Sequence, residues 1–253
     1  MSPFWRYLSR FFMWTPELPP TDTAAWLAPG LMLVISASGY ACGRLKLRRG
    51  VRTGDTRKVF HFTVFTMAAV LSLTLGLPAV NLLGGLMALW VFTVVRIGEG
   101  NVFYEGIARE SDRPHRSLHV VVPFLATAAG GILSSLLFGP LAAAGFIASG
   151  WGDAVAEPVG LRFGRHRYRV PSLGRLEVHR SLEGSAAVFL AALAGVALVL
   201  LAGDLASSAS TGRILLAAAT AAAAATAAEA LTPHGLDNLT VQLAAAGAVR
   251  LVV

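Results

Sequence analysis

The sequence predicts an all-α fold, a polytopic integral-membrane helical bundle of about seven or eight transmembrane helices. Of its 253 residues, 55% are hydrophobic and only 14% are charged, whereas a soluble domain carries about 25% charged residues. The apolar residues also fall into runs of about 20, the length that crosses roughly 30 Å of hydrocarbon as a helix. This composition excludes a water-soluble enzyme.

Eight apolar runs are candidates for spanning helices, and the last is the weakest because it opens on Asp237 and carries Arg250. The eight runs cover residues 24–43, 59–77, 79–97, 118–138, 141–160, 184–203, 212–230 and 238–253. Pro78 alone separates the second run from the third, and Gly139-Pro140 separates the fourth from the fifth. Because such short breaks leave no room for a loop, both pairs are predicted to form tight helical hairpins.

The N-terminal segment, residues 1–20, is predicted to lie on the membrane surface as an interfacial amphipathic helix. It combines several aromatic side chains with Arg6 and Arg10, a pattern typical of helices that lie at the boundary between headgroups and hydrocarbon. Residues 21–253 are then predicted to form a single membrane-embedded catalytic domain.

The positive charge is unevenly distributed along the chain. The net charge is +7, and all but four of the 21 Lys and Arg residues lie in three loops, residues 44–58, 96–117 and 161–183. Short cytoplasmic loops collect such residues, so the three loops are predicted to face the cytoplasm from a prokaryotic plasma membrane, together with any active site that they build. Hydrophobic spans separate the basic loops, so this charge suits lipid headgroups or a phosphorylated substrate and not nucleic acid.

Acidic residues at or beside the spans indicate a functional site, because each one costs a few kcal/mol in the membrane and such residues usually face the bundle interior. Five of the 14 acids occupy such positions, namely Asp153, Glu157, Glu183, Glu229 and Asp237. A helix places Asp153 and Glu157 on one face, since they are four residues apart. Two like charges at this distance require a cation, an arginine or a shared proton between them. The alternative is a purely structural pair that forms salt bridges with arginines of the next loop.

A segment rich in glycine and arginine follows directly. Its members are Gly160, Arg162, Gly164, Arg165 and Arg167 and, after a gap, Arg180, Ser181, Glu183 and Gly184. Glycine lets the backbone approach a ligand closely, and arginine supplies a planar fork of donors suited to phosphate oxygens. The segment predicts a ligand rich in phosphate together with a divalent metal. The alternative is a basic loop that only binds anionic headgroups.

These motifs resemble the nucleotide-binding signature of the CTP-dependent polyprenol kinases, the family of phytol kinase and dolichol kinase, which is related to the phosphatidate cytidylyltransferases. The signature opens D-x-x-A-x-x-x-G-x-x-x-G and closes, after a basic segment, on E-G. The matching positions are Asp153, Ala156, Gly160, Gly164, Arg180, Ser181, Glu183 and Gly184. An early Arg57-Lys58-x-x-His61 element and the late residues Glu229, Asp237 and Asn238 are also similar to the family's, so the resemblance covers roughly residues 57–240. Arginine stands at positions 165, 167 and 180, where the family commonly has lysine.

The resemblance implies a Mg²⁺-dependent lipid kinase that transfers the γ-phosphate of CTP to the hydroxyl of a prenol-type alcohol, namely phytol, geranylgeraniol or a polyprenol. Its partners are then CTP, the membrane-dissolved alcohol and the lipid bilayer. The implied metal ligand is Asp153, with Glu157 or Asp237 as the second ligand or as the base that orients the alcohol.

The other implied roles fall on basic and polar residues. The triphosphate would be bound by Arg162, Arg165, Arg167 and Arg180, with Glu183 orienting one of these arginines. Arg57, Lys58 and His61 share a helix face and are expected to point into the same cavity, with His61 taking part in catalysis. Glu229 and Asn238 are expected to line that cavity.

Three alternatives stay open at the level of sequence. A cytidylyltransferase of the phosphatidate type has a similar basic element, usually with a proline that residues 178–184 lack. A CTP-dependent diacylglycerol kinase would differ only in its acceptor. A transporter could use the membrane acids for proton or cation coupling.

Overall fold

The computed structural model describes residues 16–171, 178–203, 205–206, 209–233 and 235–253. The helices within these ranges are α1 Thr21–Arg49, α2 Thr53–Thr74, α3 Leu77–Ile97, α4 Val102–Ile107, α5 Leu118–Phe138, α6 Ala142–Phe163, α7 Leu182–Ala202, α8 Thr211–Leu231 and α9 Asp237–Val252. Residues 1–15, which make up most of the predicted interfacial helix, lie outside the described part of the chain, and residues 16–20 are not helical.

A helix occurs at each of the eight predicted spans. Among the described residues, five helical segments are long and apolar enough to cross a membrane: Thr21–Arg49, Leu77–Ile97, Leu118–Phe163, Leu182–Ala202 and Thr211–Leu231. The third of these joins α5 to α6 through a short 3-10 turn at Gly139–Leu141. An all-α membrane bundle is therefore supported, while the exact number of crossings stays a prediction.

Helix α6 lies at the centre of the bundle, where it packs against α2, α7 and α9. Every residue from 142 to 150 is buried, as expected of a helix that is apolar on all sides. Small side chains allow this close packing: a Cβ on Gly145 would stand 2.4 Å from the carbonyl oxygen of Gln242 in α9. The helix that carries Asp153 and Glu157 is therefore held on all sides by its neighbours.

A β-hairpin is the main departure from the predicted all-α fold. Strands β1, Arg167–Val170, and β2, Val178–Ser181, pair antiparallel, with Tyr168 opposite Arg180. Residues 161–183 are predicted from sequence to be a basic loop, but alternating side chains such as Arg167-Tyr168-Arg169-Val170 suit a strand with one solvated face. The hairpin leads directly into α7, where Ser181 Oγ accepts the Gly184 N–H at 3.0 Å and caps the helix.

The loop between α3 and α5 is anchored by a buried ion pair. Arg116, only 2% exposed, donates from Nη2 to Glu105 Oε2 of α4 at 2.8 Å and to the Ala108 carbonyl at 2.7 Å. Burial alone would raise the pKa of Glu105, but the hydrogen bonds from Arg116 and from the Gly100 N–H outweigh it, so the pKa falls below its ordinary value. These contacts fix the position of Arg109 beside α6.

The close packing of α6 against α9 can be tested by adding one methyl group at Gly145. Gly145→Ala should lower the free energy of unfolding by about 1–3 kcal/mol, because the new Cβ meets backbone that cannot rotate away. Thermal unfolding of the purified protein in detergent measures the change. Gly30→Ala in α1 is the control, since a Cβ there has no neighbour within 4 Å. Equal melting temperatures for the two variants would contradict this packing.

Candidate active site

A polar cavity of about 570 Å³ opens at one end of the bundle. The ends of several helices meet around it: the first turns of α2, α5, α7 and α9 and the last turns of α6 and α8. Its charged, histidine and serine lining residues are Arg57, Lys58, Arg109, Asp112, His119, Asp153, Glu157, Arg167, His179, Arg180, Ser181, Ser185, Glu229 and Asp237. The cavity thus combines five basic side chains, all Lys or Arg, with five carboxylates.

Asp153 is engaged by two side chains of α2. Lys58 Nζ donates to Asp153 Oδ1, and His61 Nδ1 lies 3.1 Å from Asp153 Oδ2. Lys58 is buried, and its Nζ also lies 4.0 Å from Glu157 Oε2. Of the three possibilities that the sequence leaves open between the two acids, the structure shows a cation, Lys58.

Glu157 is paired with arginines from two preceding loops. Arg109 Nη2 donates to Glu157 Oε2 at 2.7 Å, and Arg52 Nη2 lies 3.8 Å from Oε1. The structural alternative predicts that arginines of residues 161–183 pair with the two acids. The arginines found at Glu157 instead come from loops that precede α6. Sequence reasoning did not place Arg109 in the site, although its position in a basic loop on the predicted cytoplasmic side was a signal.

Arg180 connects β2 to α8 and α9. Its Nη2 donates to Asp237 Oδ2 at 2.8 Å, and its Nη1 lies 3.2 Å from Glu229 Oε1 without hydrogen-bond geometry. Within the described residues Nη1 has no hydrogen-bond partner. Nη1 is itself buried, but the Arg180 side chain lines the cavity, so it can contact a ligand there.

Glu183 contacts a histidine in the structure, and its role of orienting an arginine stays a prediction. Its carboxylate Oε1 lies 2.8 Å from His166 Nδ1, and Glu183 does not line the cavity. The capping of α7 by Ser181 places Glu183 in the first helical turn, facing the residues that precede β1. Arg180, which precedes Ser181 in β2, is turned toward α8 and α9.

The predicted glycines bring α6 and α7 together. A Cβ on Gly184 would stand 2.9 Å from the Ala156 carbonyl oxygen, and one on Gly160 would stand 3.0 Å from Ser181 Oγ. Gly164 also abuts Ser181. Gly160 and Gly184 line the cavity, so close helix packing brings the hairpin within reach of the acids on α6.

Other predicted residues lie apart from the cavity. Arg162 and Arg165 are exposed, and the Arg162 guanidinium carbon lies 5.4 Å from the Phe163 ring centroid. Asn238 is buried and donates from Nδ2 to Thr127 Oγ1 at 3.0 Å, so it joins α9 to α5. Of the predicted arginines in residues 161–183, Arg167 and Arg180 reach the cavity.

The structure does not gather the three predicted metal ligands into one cluster. In the described ranges no group of three His, Cys, Asp or Glu side chains stands close enough to hold a metal ion. Asp153 and Glu157 lie on one wall, while Asp237 pairs with Arg180. Magnesium commonly takes one or two carboxylates and completes its shell with substrate phosphates and water, and the oxygens of Asp153 and Glu157 fit that chemistry.

A second, apolar cavity of about 450 Å³ adjoins the polar one. Helices α2, α3 and α5 form most of its walls, and Arg57 and Pro123 line both cavities. Within the described residues Arg57 makes no hydrogen bond or ion pair. An unpaired guanidinium thus stands at the junction of a charged compartment and an apolar one. His61, which contacts Asp153, also lines the apolar cavity.

The Lys58–Asp153 pair is predicted to couple α2 to α6. In a double-mutant cycle of Lys58→Met and Asp153→Asn, the coupling free energy should be about 0.5–3 kcal/mol, because either single change leaves a buried charge unpaired. Unfolding in mixed micelles measures it. The control cycle, Lys46→Met with Glu110→Gln, breaks the 2.8 Å pair of a solvent-exposed glutamate and should give at most about 1 kcal/mol. No coupling between Lys58 and Asp153 would contradict the assigned pair.

Comparison with known proteins finds similarity to a kinase over part of the chain. No family model matches the sequence. A stretch of 105 residues is 35% identical to the phytol kinase of Synechocystis sp., and it covers 42% of this chain. The match spans about two fifths of that relative's length, 41%. The chain is therefore similar to a phytol kinase in this region, and similarity to dolichol kinase or to a cytidylyltransferase stays a prediction.

Proposed function

We propose that the protein is an integral-membrane kinase that transfers the γ-phosphate of CTP to the hydroxyl of a prenol-type alcohol such as phytol. The observation that carries this proposal is the junction at Arg57, where a cavity lined with Lys, Arg and acids meets an apolar cavity. A lipid alcohol needs such a pair of compartments, one for its chain and one for the phosphate donor. The similarity to a protein named phytol kinase supports the same assignment.

The basic side chains suit a triphosphate. Phosphoryl transfer depends on cations that neutralise charge on the phosphate oxygens and on groups that align the attacking hydroxyl. Arg57, Arg167 and Arg180 line the polar cavity and supply fork-shaped donors to phosphate. Lys58 and Arg109 are already paired with acids, so they set the positions of Asp153 and Glu157 and add positive potential.

His61 and Asp153 are assigned to the alcohol. His61 Nδ1 contacts Asp153, which holds the ring and fixes its tautomer, so that Nε2 can accept a proton. In the proposed step, the alcohol oxygen forms a bond to the γ-phosphorus, the bond between the γ-phosphorus and the bridging oxygen breaks, and CDP leaves. The hydroxyl proton passes to His61 Nε2.

The proposed magnesium site uses the two acids of α6. Asp153 and Glu157 would hold Mg²⁺ together with substrate phosphates, and the ion would supply charge neutralisation on those phosphates when bound. Asp237 lies on α9 and forms an ion pair with Arg180, so it is the alternative second ligand, as the sequence predicts. The cytoplasmic position of this end of the bundle follows from the basic loops and is part of the proposal.

Product mass spectrometry tests the proposed reaction. The purified protein in lipid nanodiscs is incubated with CTP and MgCl₂ and, in three separate reactions, with phytol, diacylglycerol or phosphatidic acid. The proposal predicts that phytol gains one phosphate. Phosphorylated diacylglycerol would change the acceptor, a CMP unit on phosphatidic acid would indicate a cytidylyltransferase, and unchanged lipids would contradict a kinase. Replacing CTP with ATP tests the nucleotide.

Arg180 is predicted to bind the triphosphate. Arg180→Ala should lower kcat/KM for CTP by about 10- to 100-fold, the effect of losing a charge-assisted hydrogen bond. Arg180→Lys should restore part of the activity, because it keeps a charge between Asp237 and Glu229. Steady-state kinetics with varied CTP measure the change. Arg165→Ala is the matched control, because Arg165 is an exposed arginine outside the cavity. A loss confined to the KM for the alcohol would remove Arg180 from the nucleotide site.

A further inference from the structure

We propose that the cleft between α3 and α5 is the lateral portal through which the acceptor's hydrocarbon chain enters from the bilayer. Gly84 and Gly85 then determine the length of the hydrocarbon chain that fits. This inference rests on the proposed function for the identity of the occupant. The portal is inferred from the walls of the apolar cavity and not from the residues of the polar cavity.

The apolar cavity extends along most of α3. Its lining residues on that helix run from Val80 to Phe92, which at a rise of about 1.5 Å per residue gives a length of about 18 Å. Its volume, about 450 Å³, lies within the range of about 300–1,000 Å³ typical of ligand pockets. Arg57 and Pro123 connect one end to the polar cavity. A long, apolar space that ends at the phosphate site suits an extended hydrocarbon chain.

In the part of the chain that the structure describes, the cavity is open on the side between α3 and α5. Gly84 and Gly85 on α3 line it and are also exposed. Leu125 on α5 lines it and is 51% exposed. A residue that faces both an internal cavity and the outside of the bundle marks an opening. Because α3 and the α5–α6 stretch are candidate membrane spans, this opening faces lipid hydrocarbon.

An aromatic contact crosses the cleft near its phosphate end. Phe92 of α3 and Phe124 of α5 meet edge to face, with ring centroids 5.9 Å apart, and both line the cavity. Phe92 is 47% exposed. Elsewhere α3 and α5 touch only lightly, so few contacts oppose the entry of a chain between them. The occupant is a lipid chain and not a protein helix, because the space is continuous with the phosphate site.

The two glycines leave unfilled room in this wall. A Cβ built on Gly84 or Gly85 has no neighbour within 4 Å. Since both glycines line the cavity, a larger side chain at either position can extend into it without a clash at its Cβ. These positions are predicted to determine which chain length is accepted.

Gly85→Phe and Gly84→Leu test the portal through chain-length selectivity. Each variant should lower kcat/KM for phytol by about 10- to 100-fold relative to a short alcohol such as geraniol. Only the long chain of phytol needs the part of the cavity that the new side chain fills. The KM for CTP should stay unchanged. Gly30→Phe on α1 is the matched control, since Gly30 is exposed, has no neighbour within 4 Å and lines neither cavity. An unchanged ratio in both variants, with both folded, would overturn the proposal.

A photolabelling experiment tests the portal independently of the kinase activity. A diazirine-bearing diterpenoid alcohol is cross-linked to the Asp153→Asn protein in nanodiscs, and the labelled peptides are identified by mass spectrometry. Labelling on α3 and α5 that disappears with Gly85→Phe supports the portal even if no alcohol is phosphorylated, an outcome that would defeat only the proposed function. Labelling on other helices, or labelling that Gly85→Phe leaves unchanged, overturns the portal even if the kinase assay succeeds.

Discussion

The need to neutralise two carboxylates on a central helix organises this protein. Asp153 and Glu157 stand on α6, which is enclosed by α2, α7 and α9. An isolated ionised carboxylate in such surroundings is strongly unfavourable, so it needs a paired cation. Lys58 and Arg109 supply that charge from α2 and from the loop after α4. The positions of α2, of this loop and of the cavity between them follow from these pairs.

Close packing around α6 makes the same arrangement possible. Gly145 lets α9 approach, and Gly160 and Gly184 let α7 and the β-hairpin approach. The ends of the helices then converge, so that Arg180 reaches the cavity from the hairpin while Arg57 reaches it from α2. The polar cavity and the apolar cavity therefore both result from the way the helices pack around α6.

The sequence predicted the helices well because each apolar run is long. It also predicted a cation, an arginine or a shared proton between Asp153 and Glu157, because two acids four residues apart repel. The identity of that cation could not be predicted: Lys58 is 95 residues away along the chain, and only tertiary packing brings it there. The β-hairpin was missed because its alternating arginines also fit a solvated loop. The contact of Glu183 with His166 could not be predicted either, since helix capping by Ser181 decides which way Glu183 faces. The apolar cavity has no sequence motif at all, since helices from distant parts of the chain enclose it.

The central claim, that one site receives both substrates at Arg57, is tested most directly by Arg57→Met. Its kcat/KM should fall by about 10- to 100-fold for CTP and for the alcohol alike, the effect of losing a charge-assisted hydrogen bond. The melting temperature should change little, because the wild-type guanidinium forms no hydrogen bond or ion pair among the described residues and is attracted only at longer range by Asp153, Asp112 and Asp237. Unchanged kinetics toward both substrates would contradict the claim.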